Sequence, residues 1–145
     1  MNPENFLDRK GRELIVAAIQ EAEKDTSGEI RVHIDDVCET DPYRKAVEVF
    51  HCLGMEKTEA RNGVLIYVAC SSKVFAIVGD KGINDAVPAD FWNEVSDTLH
   101  SYFTEGKFAE GLAEAVRMAG ARLKRFFPYR KDDVNELPDE ISFKK

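Results

Sequence analysis

Gly63-Val64-Leu65-Ile66-Tyr67-Val68-Ala69-Cys70-Ser71-Ser72-Lys73-Val74-Phe75-Ala76-Ile77-Val78-Gly79-Asp80-Lys81-Gly82 is the stretch that decides the fold. Val64 to Val68 is an unbroken apolar run, as expected for a strand covered on both faces. Ser71 and Ser72 separate it from a second apolar run, Lys73 to Val78, so the two are read as a hairpin. The second strand ends on an acidic turn, Gly79-Asp80-Lys81-Gly82, and the chemistry of the chain is expected there.

Toward the N-terminus, Glu29 to Asp35 alternates strictly, with Ile30, Val32 and Ile34 on one face and Glu29, Arg31 and His33 on the other. This predicts a half-exposed strand near a sheet edge. Before it, Leu7, Leu14, Ile15, Ala18, Ile19 and Ala22 keep the helical period, and Thr26-Ser27-Gly28 closes that helix. Between the two strands, Asp41-Pro42 reads as an N-cap followed by proline at the first helical position, opening a helix that stops near Gly54.

Beyond the hairpin, Pro88 is expected to start a helix carrying Phe91, Trp92, Val95, Leu99, Tyr102 and Phe103 on one side. A last helix, entered after Gly106, buries Phe108, Leu112, Val116, Ala119, Leu123 and Phe126. Residues 1–128 make one domain and residues 129–145 a charged tail, with its packing back on the domain and a short edge strand at Ile141-Ser142-Phe143 both left open.

Composition fits a self-sufficient α/β domain: 145 residues, 43% hydrophobic and 32% charged. Twenty basic residues against 27 acidic ones give a net charge of -7, which repels nucleic acid and anionic lipid and favours cations. The N-terminal residues lack the basic start and apolar core of a secretory signal, and the apolar run from Val64 to Cys70 is too short to span a bilayer. Three cysteines, Cys38, Cys52 and Cys70, match no disulfide or zinc spacing, so the expected home is the cytoplasm; a monomer is expected.

Strand directions gather the loops. A right-handed crossover through the second helix makes the first two strands parallel, and the hairpin turns the third back. Asp80 then lies beside Gly28-Glu29 and Arg61-Asn62-Gly63, with Asp132, Asp133 and Glu136 of the tail emerging at the same end.

Three blocks, Ser27-Gly28-Glu29-Ile30, Arg61-Asn62-Gly63-Val64-Leu65-Ile66 and Phe75-Ala76-Ile77-Val78-Gly79-Asp80-Lys81-Gly82-Ile83, together resemble a TPM domain. That family takes its name from a thylakoid lumenal protein, a photosystem repair protein and a nematode receptor modulator. The resemblance implies a three-layer αβα sandwich around a small mixed sheet of three to four strands. It also implies divalent-cation binding, often of calcium, and acid-phosphatase activity among relatives. Many relatives are secreted or membrane-tethered, whereas this chain resembles a stand-alone version. Where many relatives carry an aromatic residue after the glycine of the third strand, this chain has Asp80, a hard oxygen ligand.

A carboxylate in a glycine-flanked turn can approach a hard cation such as Ca²⁺ or Mg²⁺, which gathers six or more oxygens from several loops. Asp80, Asp85, Glu29, Asp132 and Asp133 are the candidate ligands, with the Asn84 carbonyl within reach. Arg61 and Lys81 are the candidate phosphate-binding pair, with the amides from Gly79 to Gly82 as a shallow nest. The plainer readings are an Asx-turn at Asp80 and simple pairing of Arg61 and Lys81 with neighbouring acids. A second acidic group, Asp35, Asp36, Glu39 and Asp41, lies at the opposite end of the first strand, where capping by Asp41 is explanation enough. His33, His51 and His100 are scattered and read as solvated or structurally satisfied. The expected function is cation binding that orders these loops, with a regulatory role toward a protein partner. The alternatives are a metal-assisted phosphatase on small phosphomonoesters and a protein-interaction module without metal. No phosphatase cysteine motif, Walker loop or zinc-type motif is present.

Overall fold

A computed structural model describes residues 3–129 and 136–143 of the chain. In chain order the main elements are α1 (Arg9–Ala22), β1 (Glu29–Asp35), α2 (Pro42–Cys52), β2 (Gly63–Ala69), β3 (Val74–Gly79), α3 (Lys81–Ala86), α4 (Asn93–Thr104), α5 (Phe108–Leu123) and β4 (Ser142–Phe143). The sheet order is β3-β2-β1-β4. β1 is parallel to β2 and to β4, while β2 and β3 form the antiparallel hairpin.

Register follows from the apolar pattern. Ile30, Val32 and Ile34 of β1 stand opposite Val64, Ile66 and Val68 of β2, so one sheet face is continuous hydrocarbon. α1 packs on α5 and α5 on α4 over that face, burying Ile15, Ile19, Leu99, Leu112, Val116 and Leu123 completely. A side-chain period of two forces Leu65, Tyr67 and Ala69 to the other face, where Ala46, Val49 and Phe50 of α2 meet them. The fold is the three-layer αβα sandwich that the sequence resembles. Each fully buried Leu or Ile of these two cores contributes about 1.5–3 kcal/mol over leaving it exposed.

Two expectations are corrected. β1 does not lie half exposed at the sheet edge, because the chain returns after α5 and adds β4 alongside it, pairing His33 with Ser142 and Ile34 with Phe143. Glu29, His33 and Asp35 are consequently buried. Where β4 does not reach, the Ile30 amide donates to Glu23 Oε2 at 3.0 Å, so this part of the strand edge is closed by a side chain. The helix expected from Pro88 begins only at Asn93. Val87 is extended, as a residue preceding proline prefers, and the chain turns through Phe91 N–H to Pro88 O and Asn93 N–H to Asp90 O, both 3.1 Å, before the helix can start.

Candidate functional site

Asp80 follows the last residue of β3, and its amide still bonds across the sheet to Gly63 O at 2.9 Å. The next residues do not stay a turn. Asp80 is the N-cap of α3, with Oδ1 accepting from the Lys81 amide at 2.7 Å and the main-chain oxygen accepting from the Asn84 amide at 3.0 Å. The carboxylate accepts from the amide one residue on and not from the amide two residues on that an Asx-turn would use, and it does more.

Arg61 enters β2 with a left-handed backbone, φ 52°. That conformation turns its side chain onto Asp80. Nε donates to Oδ2 at 2.7 Å and Nη2 to Oδ1 at 2.9 Å, a two-pronged guanidinium–carboxylate pair. The hydrogen bonds to Asp80 raise the Arg61 pKa further above its usual range. Gly82 locks the two segments together, since its amide donates to Arg61 O at 2.9 Å. A Cβ at Gly82 would sit 2.2 Å from Ala60 O, so only glycine allows this approach.

Asp80 is buried, whereas the Arg61 side chain is 44% exposed. The exposed part of the guanidinium faces a cleft of about 360 Å³ between α2 and the β3–α3 junction. Lys81 and Asp85 also line this cleft, and neither makes an ion pair among the described residues. From α2 come Tyr43, Val47, Phe50 and His51, whose i, i+4, i+7, i+8 spacing puts them on one helix face. His51 and Tyr43 are the residues that sequence reasoning missed. The helical stripe could have revealed them, but a scattered histidine read alone did not. His51 Nδ1 lies 3.5 Å from Glu56 Oε2.

The structure therefore brings Asp80, Arg61, Lys81 and Asp85 together and leaves Glu29 elsewhere. Glu29 is buried with Oε2 accepting from the Glu136 amide at 2.7 Å and Oε1 from the Leu137 amide at 2.9 Å. Burial pushes its carboxyl pKa up and these two amides pull it back. Its carboxylate serves as a clamp on the returning tail. Asp132 and Asp133 lie outside the described residues.

At the opposite end of the sheet, Asp41 caps α2 by accepting from the Arg44 amide at 3.0 Å, as the plainer reading had it. Asp35 is buried and accepts from the Tyr67 hydroxyl at 2.8 Å, while its Oδ1 has no hydrogen-bond partner and lies 4.0 Å from His33 Nε2. His33 Nδ1 meets Ser142 Oγ at 2.8 Å. Burial and the bond to Asp35 push the Tyr67 pKa up.

An all-protein cage for Ca²⁺ or Mg²⁺ does not fit these residues. Both Asp80 oxygens are engaged, both Glu29 oxygens are engaged, and among the described residues no three His, Cys, Asp or Glu side chains form a metal-sized group. A hard cation that brings its own oxygen ligands needs only one or two protein carboxylates. Asp85 at the cleft meets that smaller requirement.

Fold and site define an αβα domain with an arginine–aspartate pair at the entry of its second strand. The TPM domain model matches residues 1–122, and the chain belongs to the TPM domain family. It is similar over 97% of its length to BA42 protein from the psychrophilic bacterium Bizionia argentinensis, at 48% identity and a TM-score of 0.92, covering 97% of that chain. The N-terminal domain of a protein from P. gingivalis shares the fold at 16% identity and a TM-score of 0.71, over 89% of this chain and 85% of the other. The N-terminal domain of cg2496 protein from Corynebacterium glutamicum shares it at 11% identity and a TM-score of 0.64, over 96% of this chain and 80% of the other. A comparison with curated proteins finds no match. Among the described residues no helix is long and apolar enough to cross a membrane.

Proposed function

We propose that this TPM domain binds a phosphate-bearing ligand together with a divalent cation, Ca²⁺ or Mg²⁺, in the cleft between α2 and the β3–α3 junction. The observation that carries this reading is the Arg61–Asp80 pair beside Lys81 and Asp85. Asp80 uses both oxygens to fix the guanidinium, which leaves the remaining Arg61 N–H groups presented to the cleft. A planar guanidinium held this way suits two oxygens of a phosphate, and Lys81 adds a point charge. Asp85 would hold the cation, with the ligand's own oxygens completing its shell. When bound, the cation would neutralise phosphate charge and polarise a phosphoryl oxygen.

Calorimetric titration with inorganic phosphate tests this, with and without millimolar Mg²⁺ or Ca²⁺. Saturable binding strengthened by the cation is expected. Lys81→Ala should weaken it about tenfold, the loss of one charge-assisted contact, and Asp85→Asn should remove only the cation's contribution. Cation-independent behaviour in the native protein would sink the two-component reading.

Hydrolysis of the ligand has one observation in its favour, His51 in the same cleft. An imidazole there suits general acid–base work on a phosphomonoester. Chelator-sensitive turnover of an aryl phosphate, lost in His51→Ala with phosphate affinity retained, is the expected signature of catalysis. Absence of turnover across a pH series would leave a binding domain that regulates a partner.

A further inference from the structure

At the far end of β3 from Asp80, and on the opposite sheet face, a second hollow of about 470 Å³ opens between the β2–β3 turn and the turn joining α4 to α5. Four half-buried phenylalanines line it in sequence. Phe6 lies 4.6 Å from Phe108, Phe108 lies 5.3 Å from Phe103, and Phe103 lies 5.7 Å from Phe75, centroid to centroid. Their tilted and edge-on contacts make a continuous aromatic wall that stays partly open.

Besides the Thr104 hydroxyl and the Cys70 thiol, the polar side chains lining the hollow are basic. Lys73 and His100 both line the hollow, both are exposed, and neither has an ion pair or side-chain hydrogen bond among the described residues. No acidic residue is among the described lining residues, although acids outnumber bases 27 to 20 in the chain. Lys73 takes a left-handed backbone, φ 58°, as the last residue of the β2–β3 turn. An apolar hollow of this size with a few convergent polar groups has the form of a small-molecule site.

We infer that this hollow binds a monomeric single-chain carboxylate, its alkyl chain against the phenylalanine wall and its head between Lys73 Nζ and the His100 imidazole. Charge complementarity selects the anion, since a neutral chain would leave two cationic or donor groups unanswered and a cationic head would meet Lys73. The overall acidity of the chain disfavours an anionic bilayer as the source. The site is separated from the Arg61 cleft by the length of β3, about 20 Å, so the two bind independently.

The test is a titration of the full chain with decanoate below its micelle concentration, followed by amide NMR, with decanol and decyltrimethylammonium as comparators. Saturable shifts at residues 68–75 and 100–108 with decanoate, at least fivefold weaker with decanol and absent with the cation, are expected. Lys73→Asn keeps the left-handed turn and should weaken decanoate binding about fivefold, as loss of one charged contact does. Thr104→Trp, an exposed position on the rim, should abolish it by filling the hollow. No saturable shift up to millimolar decanoate, equal affinity for decanol, or unchanged affinity in Lys73→Asn would each overturn the inference. Shifts confined to the α2 cleft would overturn it as well.

Discussion

The two ends of the hairpin strand β3 treat charge in opposite ways. At the Asp80 end the buried carboxyl groups are engaged within the chain: Arg61 grips Asp80, Glu29 takes two tail amides, and Glu23 takes the Ile30 amide. At the other end Lys73 and His100 stand over an aromatic wall without an ion pair or side-chain hydrogen bond among the described residues. Both ends hold a basic residue in the left-handed region, Arg61 at φ 52° and Lys73 at φ 58°. The strain is alike, but only at Arg61 does a buried carboxylate in the chain itself account for it. Affinity at the first end should come from prearranged hydrogen bonds, and at the second from apolar burial with a charge to choose the head group.

The largest effect should come from Arg61→Ala, which strands the buried Asp80 carboxylate with only the Lys81 amide. We expect the greatest loss of stability in urea unfolding from this variant, although solvent reaching the half-exposed Arg61 position softens it. A cost within about 0.5 kcal/mol, the range of ordinary surface substitutions, would make the pair no firmer than the Lys73 end. Glu29→Ala comes next. Two tail amides lose a charged acceptor, costing about 2 kcal/mol, and hydrogen exchange at Glu136, Leu137 and Phe143 should quicken while α5 stays protected. Unchanged exchange in the tail would remove Glu29 from its role as clamp.

A pH series tests the same end. Burial, then a hydrogen bond to Asp139, pushes the Glu23 carboxyl from 4.5 up to about 9. Between those values the unfolded chain has lost the proton and the folded chain keeps it, so folding takes up a proton. Stability is therefore fully present below pH 4.5 and lost as pH rises through about 9, on this group's account. The melting temperature should fall between pH 5 and 9, by roughly 2–8 °C for each kcal/mol lost. Glu23→Gln, which keeps an acceptor for the Ile30 amide, should flatten that slope; an unaltered slope would assign it to other groups.

The smallest effect belongs to the other end. Lys73→Gly relieves the left-handed backbone without removing an ion pair, and a gain of about 0.5–1 kcal/mol is expected. Loss of stability there would mean that the Lys73 side chain holds the turn, and the contrast between the ends would narrow.

Much of this architecture was legible in the chain. The strands from Glu29, Gly63 and Val74 and the capped helix after Asp41 announce themselves through alternation, a continuous apolar run and an Asp-Pro start. The meeting of Asp80 with Arg61 also followed from strand direction. The form of that meeting did not. Asp80 offered a hard ligand on paper, yet the fold spends both of its oxygens on Arg61 and the Lys81 amide. Glu29 was grouped with Asp80 because both sit at strand ends, but alternation points its carboxylate to the tail. His51 is solitary in the sequence, and the packing of α2 against β3 places it in the same cleft as Asp85.

The sequence by itself determined where β1, β2, β3, α1, α2 and α5 lie and which of their positions are apolar, because side-chain direction within an element is dictated by local backbone geometry. Only the tertiary structure decided which charge meets which. Arg61 and Asp80 are 19 residues apart, Glu29 and the Glu136 amide 107, and the aromatic wall runs from Phe6 to Phe108. Such contacts depend on register, on the return of the tail beside β1, and on the close approach that Gly82 permits, none of which any local window of sequence contains.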